Sequence, residues 1–153
     1  MEIRRGRSGE IEKLIEVYQS GYSSMKRYAY HSPERIKEYL LWLREGDKNG
    51  FFVAQEGTQL IGFASIHTQW WDRKEGKTAE LHEIVVKAEY QGKGVGKSLF
   101  EKAKDYALSE GRDKITLWVG EKNSRAREWY KKLGFEEIGK SGEWIRMKLD
   151  LFK

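Results

Sequence analysis

The stretch Gln91-Gly92-Lys93-Gly94-Val95-Gly96 decides the fold of this chain of 153 residues. A segment typical of a strand, Ala79 to Val86, comes shortly before it, and from Val95 to Ala107 apolar side chains recur at helical spacing. The sequence therefore predicts a strand, a glycine-rich turn and a helix in succession. Backbone N–H groups and the positive end of the helix dipole converge at such a turn, and glycine lets an anion approach them closely. We expect an anion-binding site here.

Two familiar phosphate-binding motifs do not fit this turn. A P-loop that ends in Lys97-Ser98 needs a glycine five residues before Gly96, and Gln91 stands there. A dinucleotide-binding turn needs the pattern G-x-G-x-x-G, whereas the glycines of this turn lie at positions 92, 94 and 96. A P-loop nucleotide-binding protein is therefore the weaker alternative.

The segments on both sides of the turn predict a chain in which strands and helices alternate. Ser32 followed by Pro33 is typical of a helix start, and Gly57 lies in a polar turn between two apolar strands, which is typical of a hairpin. Asp72 to Lys77 is polar and separates this hairpin from the strand that follows. This order predicts an α/β (α+β) fold around a mixed sheet. The predicted strands are residues 3–7, 51–54, 60–66, 79–86, 115–119, 135–138 and 144–151, and the predicted helices are residues 11–18, 33–46, 95–109 and 124–133.

Length and composition exclude several classes of protein. The chain fits one domain of ordinary size, residues 1–153. It has no cysteine, so disulfides, thiolate nucleophiles and cysteine-ligated metals are excluded. Lysine and arginine number 29 and aspartate and glutamate number 24, which gives a net charge of +5. Because the two signs are interleaved along the whole chain, we expect no nucleic-acid partner.

Hydropathy and residue bias add expectations about the surroundings of the protein. Its apolar runs fall short of the roughly 18 to 20 residues that span a bilayer, and the N-terminus lacks the apolar stretch of a signal peptide. We therefore expect a cytoplasmic location and no membrane partner. Glutamate and lysine carry most of the charge and asparagine occurs only at positions 49 and 123, a bias that is typical of heat-adapted proteins.

The glycine-rich turn resembles the pyrophosphate loop of the GCN5-related N-acetyltransferases, the GNAT superfamily, in the pattern Gln91-x-x-Gly94-x-Gly96. That family carries a second motif on a later helix: an asparagine, a tyrosine seven residues on, and then Gly-Phe. Asn123, Tyr130 and Gly134-Phe135 match it in order and spacing. The resemblance implies a single GNAT domain with a mixed, mostly antiparallel sheet of about six to seven strands and about four helices.

The resemblance also implies acetyl-CoA as cosubstrate and no metal. The backbone N–H groups of Gly92 to Gly96 would bind its pyrophosphate, with Lys93 or Lys97 adding charge. The backbone of Ile84-Val85-Val86 would pair with the pantetheine arm as an added strand does, and Asn123 would bind the same arm. The cofactor-binding residues expected on this basis are Ile84, Val85, Val86, Gln91, Gly92, Lys93, Gly94, Val95, Gly96, Lys97, Ser98, Asn123 and Tyr130.

Acetyl transfer to an amine requires a base, because an alkyl amine with a pKa of about 10 is almost fully protonated at neutral pH. On an alternating strand Glu80 and His82 face one side and Glu83 faces the other. By position the resemblance favours Glu80 as the base, followed by His82, whereas a strand bulge would turn Glu83 into the cleft instead. Tyr130 matches the family tyrosine that protonates the departing thiolate.

The acceptor is expected to be a primary amine on a small molecule, a polyamine, or a peptide or protein. The family places it between the connection of the first two helices and the last two strands, here Gly21 to Ser32 and Gly139 to Gly142. Aromatic faces attract ammonium groups, but aromatic side chains at this edge could equally pack on the domain itself. The aromatic residues in question are Tyr22, Tyr28, Tyr30 and Trp70-Trp71.

Trp118 is a departure from one branch of the family. Relatives that acetylate the N-termini of ribosomal proteins carry a base glutamate on the strand before the motif asparagine, and this chain has Trp118 there. That difference argues against their mechanism. An acyl-CoA-binding sensor without catalysis is the alternative outside enzymes. The six tryptophans leave room for an apolar homodimer interface.

Overall fold

The computed structural model describes residues 1–152, over which seven strands form one sheet with four α-helices around it. This confirms the predicted α/β (α+β) fold and the predicted order of elements. In chain order the elements are β1 (Glu2–Arg5), α1 (Ile11–Gly21), α2 (Pro33–Gly46), β2 (Phe51–Glu56), β3 (Gln59–Asp72), β4 (Gly76–Val86), α3 (Val95–Ser109), β5 (Lys114–Gly120), α4 (Ser124–Lys132), β6 (Glu136–Ser141) and β7 (Trp144–Asp150).

The strands lie in the order β1-β2-β3-β4-β5-β7-β6. Neighbouring strands are antiparallel except β4 and β5, which run parallel. The parallel pairing is short: Ala79 pairs with Ile115 and Glu80 with Thr116. Beyond these residues β4 and β5 separate, and the sheet opens along the second half of β4.

Apolar side chains pack on both faces of the sheet. On one face α3 and α4 cover a buried cluster that includes Leu99 and Phe100. On the other face α1 and α2 cover β3 and β4, with Leu14 and Leu40 fully buried. Helices therefore hold β4 from both sides just where it leaves β5.

Local signals set the ends and lengths of the helices. The Ser32 hydroxyl accepts a hydrogen bond from the Arg35 backbone N–H at 3.2 Å, and Pro33 is the first residue of α2, as predicted. Gly134 follows the end of α4 with a φ of +108°, a conformation that favours glycine. None of the helices in residues 1–152 combines the length and the apolar content needed to cross a bilayer.

The hairpin between β3 and β4 is longer than the sequence predicts. β3 continues to Asp72 and β4 begins at Gly76, whereas polarity predicts a linker over residues 72–77. Asp72 Oδ1 accepts hydrogen bonds from the backbone N–H groups of Lys74 and Glu75, both at 2.8 Å, and so closes a tight turn. The polar residues belong to this turn and to the strand ends beside it.

Candidate active site

A cavity of about 530 Å³ lies where β4 and β5 separate. Six parts of the chain form its wall: the end of α1 with the segment after it, the second half of β4, the glycine-rich turn with the residue before it, the end of β5, the face of α4 and the start of β7. The lining residues are Gly21, Tyr22, Ser24, Met25, Tyr28, Leu81, His82, Glu83, Ile84, Val85, Val86, Tyr90, Gln91, Gly92, Gly94, Gly96, Lys97, Trp118, Val119, Gly120, Asn123, Arg125, Ala126, Glu128, Trp129, Tyr130, Lys132 and Trp144.

The glycine-rich turn uses backbone conformations that favour glycine. Gly92 and Gly94 have φ values of +77° and +87°, and Gly94 immediately precedes α3. An added Cβ at either position would meet no heavy atom within 4 Å. The backbone conformation, and not crowding, therefore requires these glycines. The N-terminus of α3, a helix of 15 residues, begins at the part of the wall that Gly94, Gly96 and Lys97 line.

Gln91 ties this turn to the elements on either side. Its Nε2 donates to the Val86 carbonyl at 3.0 Å, and its Oε1 accepts a hydrogen bond from Arg125 Nη1 at 3.3 Å. Val86 is the last residue of β4, and Arg125 lies in the first turn of α4. One side chain thus fixes the turn against two walls of the cavity.

Most of the expected cofactor-binding residues line the cavity, whereas Lys93, Val95 and Ser98 lie outside its lining. Val95 is buried in the core, and Lys93 Nζ lies 5.6 Å from the centre of the Tyr90 ring. The Ser98 backbone N–H donates to the Gly94 carbonyl within the first turn of α3. The residues that line it are Ile84, Val85, Val86, Gln91, Gly92, Gly94, Gly96, Lys97, Asn123 and Tyr130.

Asn123 combines a structural role with its place in the lining. Its Oδ1 accepts a hydrogen bond from the Ala126 backbone N–H at 3.3 Å and caps α4. The residue is half-buried and lines the cavity. Its side-chain NH₂ group, which can donate two hydrogen bonds, is not used by the cap.

Glu80 lies away from the cavity, in a buried ion-pair network. The residue is 2% exposed, its Oε1 accepts from the Thr116 hydroxyl at 2.6 Å, and its Oε2 accepts from Arg146 Nη1 at 2.7 Å. Arg146 also donates to Asp72 at 2.7 Å. Because both carboxyl oxygens are engaged and the residue does not line the cavity, its position does not suit the base role for which Glu80 ranks first. The two other candidates on β4, His82 and Glu83, lie at the cavity.

A bulge in β4 brings His82 and Glu83 together at the cavity. Ser65 pairs with Glu83 and the next residue, Ile66, pairs with Leu81, so His82 is an extra residue in the ladder. A strictly alternating strand would place the two side chains on opposite faces. The His82 ring lies 5.2 Å from that of Trp42 and Glu83 accepts a hydrogen bond from Tyr39, both on α2, so the two side chains share one face and the bulge alternative is the one observed.

Glu83 is held by two tyrosine hydroxyls. Tyr22 donates to Oε1 at 2.5 Å, and Tyr39 donates to Oε2. Burial raises the pKa of Glu83 to about 7, although both hydrogen bonds favour the carboxylate and lower it. A carboxyl group with a pKa near neutrality can both accept and release a proton under ordinary conditions.

His82 belongs to a chain of hydrogen bonds that ends on the backbone of α2. His67 Nε2 lies 3.0 Å from the Leu43 carbonyl oxygen, and His82 Nε2 lies 3.1 Å from His67 Nδ1. Since a carbonyl only accepts, His67 carries a hydrogen on Nε2 and donates it to the Leu43 carbonyl. Burial lowers the pKa of His82 to about 3, with a smaller contribution from His67. The His82 ring is therefore neutral at neutral pH.

Tyr130 reaches the same cavity from α4. Its ring centre lies 5.2 Å from that of Trp129 and 5.4 Å from that of Phe135, which fixes the side chain. Burial, and then the negative charge of Glu83, raise the pKa of Tyr130 above its ordinary value. The hydroxyl therefore keeps its proton at neutral pH. The structure thus brings Tyr130, Glu83 and His82 to one cavity and leaves Glu80 outside it.

Aromatic residues form a further part of the cavity wall. The Tyr28 ring centre lies 5.2 Å from that of Trp144, and the Tyr28 hydroxyl accepts a hydrogen bond from the Lys122 backbone N–H at 2.9 Å. A Cβ on Gly120 would lie 2.4 Å from the Tyr28 ring, so this approach depends on glycine. The contacts join the connection between α1 and α2 to the end of β5 and the start of β7.

The aromatic residues expected to meet an acceptor divide into two groups. Tyr22 and Tyr28 line the cavity, whereas Tyr30 and Trp70-Trp71 lie outside its lining. The Tyr30 ring centre lies 5.0 Å from that of Tyr39, and Trp70 lies 4.7 Å from the His82 ring. These outer aromatic residues therefore pack against residues of the site.

Residues 11–135 match the acetyltransferase (GNAT) family. This chain belongs to the GNAT family. It is 39% identical over 131 residues to an N-acetyltransferase of Archaeoglobus fulgidus, a match that covers 85% of this chain and 89% of that protein.

Two solved structures are similar to this GNAT-family chain over almost its whole length. PH1933 from Pyrococcus horikoshii OT3 is 34% identical, with 97% of each chain covered and a TM-score of 0.89. The PaiA N-acetyltransferase from Thermoplasma acidophilum, in complex with coenzyme A, is 28% identical, with 97% of this chain and 98% of that chain covered and a TM-score of 0.80. Both confirm the GNAT fold.

Sequence reasoning missed two residues of this GNAT-family site, Tyr39 and His67. Tyr39 recurs at helical spacing with the apolar residues of α2, so its pattern predicts a core position. His67 lies in β3 and meets the site only through His82. Neither residue belongs to a motif, and their role follows from contacts between elements that are distant in the chain.

Proposed function

We propose that this GNAT-family chain transfers an acetyl group from acetyl-CoA to a primary amine, with Glu83 as the general base and Tyr130 as the acid for the leaving group. The observation that carries the proposal is the convergence of Glu83, Tyr130 and the unpaired edge of β4 on one cavity. Acetyl-CoA, when bound, supplies an acetyl group activated as a thioester. Family membership supports N-acetyl transfer as the general activity.

The cavity has the features that the two ends of coenzyme A require. The turn from Gln91 to Gly96 leads into the N-terminus of α3, with Lys97 beside it, and so offers N–H groups and positive charge to a pyrophosphate. β4 pairs with β5 only at Ala79 and Glu80, which leaves the edge of its later residues open to an extended pantetheine arm. The complex of the PaiA protein with coenzyme A supports this assignment.

Glu83 is the base that position and pKa support. An ammonium group with a pKa of about 10 must lose a proton before its nitrogen can attack. With a pKa of about 7, Glu83 is largely ionised above neutrality and still has a substantial affinity for that proton. Glu80 has no access to the cavity, and His82, with a pKa of about 3, binds a proton too weakly.

Tyr130 and the backbone of β4 support the other half of the reaction. The raised pKa of Tyr130 keeps its hydroxyl protonated, so that it can donate a hydrogen bond or a proton to the departing sulfur. A backbone N–H of Val85 or Val86, both in the lining, polarises the acetyl carbonyl. The three groups act on the nucleophile, the leaving group and the carbonyl oxygen respectively.

The proposed acceptor is a primary amine, and activity assays with different amines identify its class. Tyr22, Tyr28 and Trp118 line the cavity and offer ring faces to an ammonium group. This lining is compatible with a small amine, a polyamine, or a peptide or protein amine. A homodimer stays a prediction from the sequence.

Release of the coenzyme A thiol from acetyl-CoA, measured with a panel of amines from these three classes, tests the proposal. We expect thiol release that depends on the amine. A protein that acetyl-CoA stabilises against heat but that releases no thiol with any amine would support the acyl-CoA sensor instead. Stabilisation by ATP and not by acetyl-CoA would support the P-loop alternative.

A further inference from the structure

Tyr22 and Tyr39 both form hydrogen bonds with the carboxyl group of Glu83, but the two tyrosines lie in different surroundings. Each donates one hydrogen bond to Glu83, Tyr22 to Oε1 and Tyr39 to Oε2. Tyr22 lines the cavity, whereas Tyr39 lies outside its lining. Of the two tyrosines, Tyr22 is therefore the one placed to meet an acceptor in the cavity.

We infer that Tyr22 relays the proton from the acceptor amine to Glu83, and that Tyr39 positions the carboxyl group without taking part in the transfer. The inference rests on the proposed function, because it concerns the same base. An ammonium proton moves to Tyr22 Oη while the Tyr22 hydroxyl hydrogen moves to Glu83 Oε1. One N–H bond and one O–H bond break and two O–H bonds form, which leaves a neutral amine, a neutral tyrosine and a protonated Glu83.

The end of α1 fixes Tyr22 beside Glu83 in the cavity wall. A Cβ at Gly21 would lie 2.4 Å from Val85 Cγ1, so glycine lets the end of this helix come close to β4. The Tyr22 backbone N–H donates to the Tyr18 carbonyl at 3.0 Å, and the two rings lie 4.7 Å apart. With backbone and ring both held, the hydroxyl keeps its short bond to Glu83.

Among Glu83 and the titratable groups that face it, Glu83 is the one whose pKa lies near neutrality. Burial is the largest cause that raises the pKa values of the tyrosines around it, and the charge of Glu83 raises them further. Burial lowers the pKa of the neighbouring histidine. The groups are Tyr18 and Tyr22 from α1 and its end, Tyr39 from α2, Tyr130 from α4 and His82 from β4 itself.

Tyr22→Phe and Tyr39→Phe form a matched pair that tests the relay. Each removes one hydroxyl that donates to Glu83 and keeps the ring, so each raises the pKa of Glu83 and moves the acidic limb of the kcat/KM profile to higher pH. Only Tyr22→Phe is expected to lower kcat/KM in addition, by about tenfold or more at pH 8. That deficit shrinks towards a pH of about 10, where the amine loses its own proton.

Tyr106→Phe is the control for loss of a buried phenol. Tyr106 donates to Asp47 at 2.8 Å and does not line the cavity, so its loss is expected to leave the pH profile unchanged. Equal profiles for Tyr22→Phe and Tyr39→Phe would overturn the relay, because Glu83 would then take the proton directly.

A second test uses Tyr130→Phe, which lacks the hydrogen that Tyr130 gives to the departing sulfur. Rates of this variant measured in mixtures of H₂O and D₂O are expected to fall along a curve as the deuterium fraction rises, since two hydrogens still move in the relay. A linear dependence would show one moving hydrogen and would overturn it. Absence of any amine-dependent thiol release would instead overturn the proposed function, and the relay with it.

Discussion

Two carboxyl groups three residues apart on β4 have opposite surroundings. Burial raises the pKa of Glu80, while the guanidinium of Arg146 beside it opposes this shift and favours the ionised carboxylate. Glu83 is bonded to the neutral hydroxyls of Tyr22 and Tyr39, and its pKa lies near 7. A carboxylate that is paired with a permanent cation is a structural group, whereas one that can gain or lose a proton near neutrality is suited to acid–base chemistry.

Replacement of Glu80 by glutamine should affect stability more than chemistry. Glu80→Gln removes one charge from the buried pair with Arg146, and we expect the free energy of unfolding at pH 7 to fall by about 1–3 kcal/mol. Urea denaturation measures this loss. Glu137→Gln, which breaks the more exposed pair with Arg127, is the control and should cost less than about 1 kcal/mol. A stable Glu80→Gln protein with a pH-dependent loss of activity would return the base role to Glu80.

Replacement of Tyr130 by phenylalanine removes only the hydroxyl group that is proposed as the acid. The ring and its contacts with Trp129 and Phe135 remain, so binding of acetyl-CoA should hardly change. We expect kcat to fall by about tenfold to a thousandfold, which corresponds to roughly 1.4 to 4 kcal/mol in the transition state. Steady-state kinetics and calorimetric binding of acetyl-CoA separate the two effects. Unchanged kcat would show that Tyr130 only packs.

At the scale of single residues the sequence could name the candidates but not choose among them. Glu80, His82 and Glu83 lie on a strand that leads to the glycine-rich turn, and motif spacing finds all three. The bulge at His82 depends on the pairing of β4 with β3, and the pairing of Glu80 depends on Arg146, which lies 66 residues away in the chain. Both features therefore depend on tertiary contacts.

At the scale of elements the separation of β4 and β5 creates the cavity. Their pairing ends at Glu80 and Thr116, and the hydrogen bond between these two side chains lies at that end. Arg146 on β7 bonds to the same carboxylate, so three strands are joined at the point where the sheet opens. The glycine-rich turn then connects the other end of β4 to α3.

Gly94→Leu should weaken binding of acetyl-CoA. The position has a φ of +87°, and a side chain there strains the backbone and enters the space beside the N-terminus of α3. We expect the KM for acetyl-CoA to rise by about tenfold or more, equivalent to about 1.4 kcal/mol. Gly111→Leu carries similar strain, at a φ of +78° just beyond the other end of α3, and should leave KM unchanged. Equal KM values for both variants would remove the turn from the binding site.

The elements that carry strong local signals are those the sequence predicts well. The cap at Ser32, the proline after it and the glycine at position 134 mark helix ends through local geometry. The β3–β4 hairpin is predicted less well, because its outer part is polar and strands with exposed ends lack the apolar alternation that marks a buried strand. The order and type of the helices and strands follow from local sequence signals, whereas the lengths of the strands follow from their pairing with one another.

At the scale of the whole molecule, helices on both faces of the sheet meet at the cavity. Tyr22, just after α1, lines the cavity and Tyr39 on α2 reaches it only through Glu83, while α4 contributes Tyr130 from the opposite face. The opening between β4 and β5 lets groups from both faces reach one space. The two motifs of the family predict this architecture, since they name the strand, turn and helices around that opening.

The bias towards charged residues predicts a heat-resistant protein. Ion pairs such as Lys37 with Glu12, which joins α2 to α1, and Arg27 with Glu143 lie at the surface. We expect a thermal midpoint above about 65 °C by scanning calorimetry at low salt, and a lower midpoint in about 1 M salt, which screens such pairs. A midpoint below about 65 °C, or one that salt does not lower, would count against this expectation.

The pH dependence of kcat/KM for the amine, measured for wild-type protein and Glu83→Gln at saturating acetyl-CoA, tests the central claim most directly. The wild-type value should rise with pH and level off above about 7, where Glu83 is ionised. Glu83→Gln should be slower by about 10²-fold or more near neutrality and should rise steadily towards a pH of about 10. A wild-type profile that does not level off near 7, or equal activity of Glu83→Gln at neutral pH, would contradict the account.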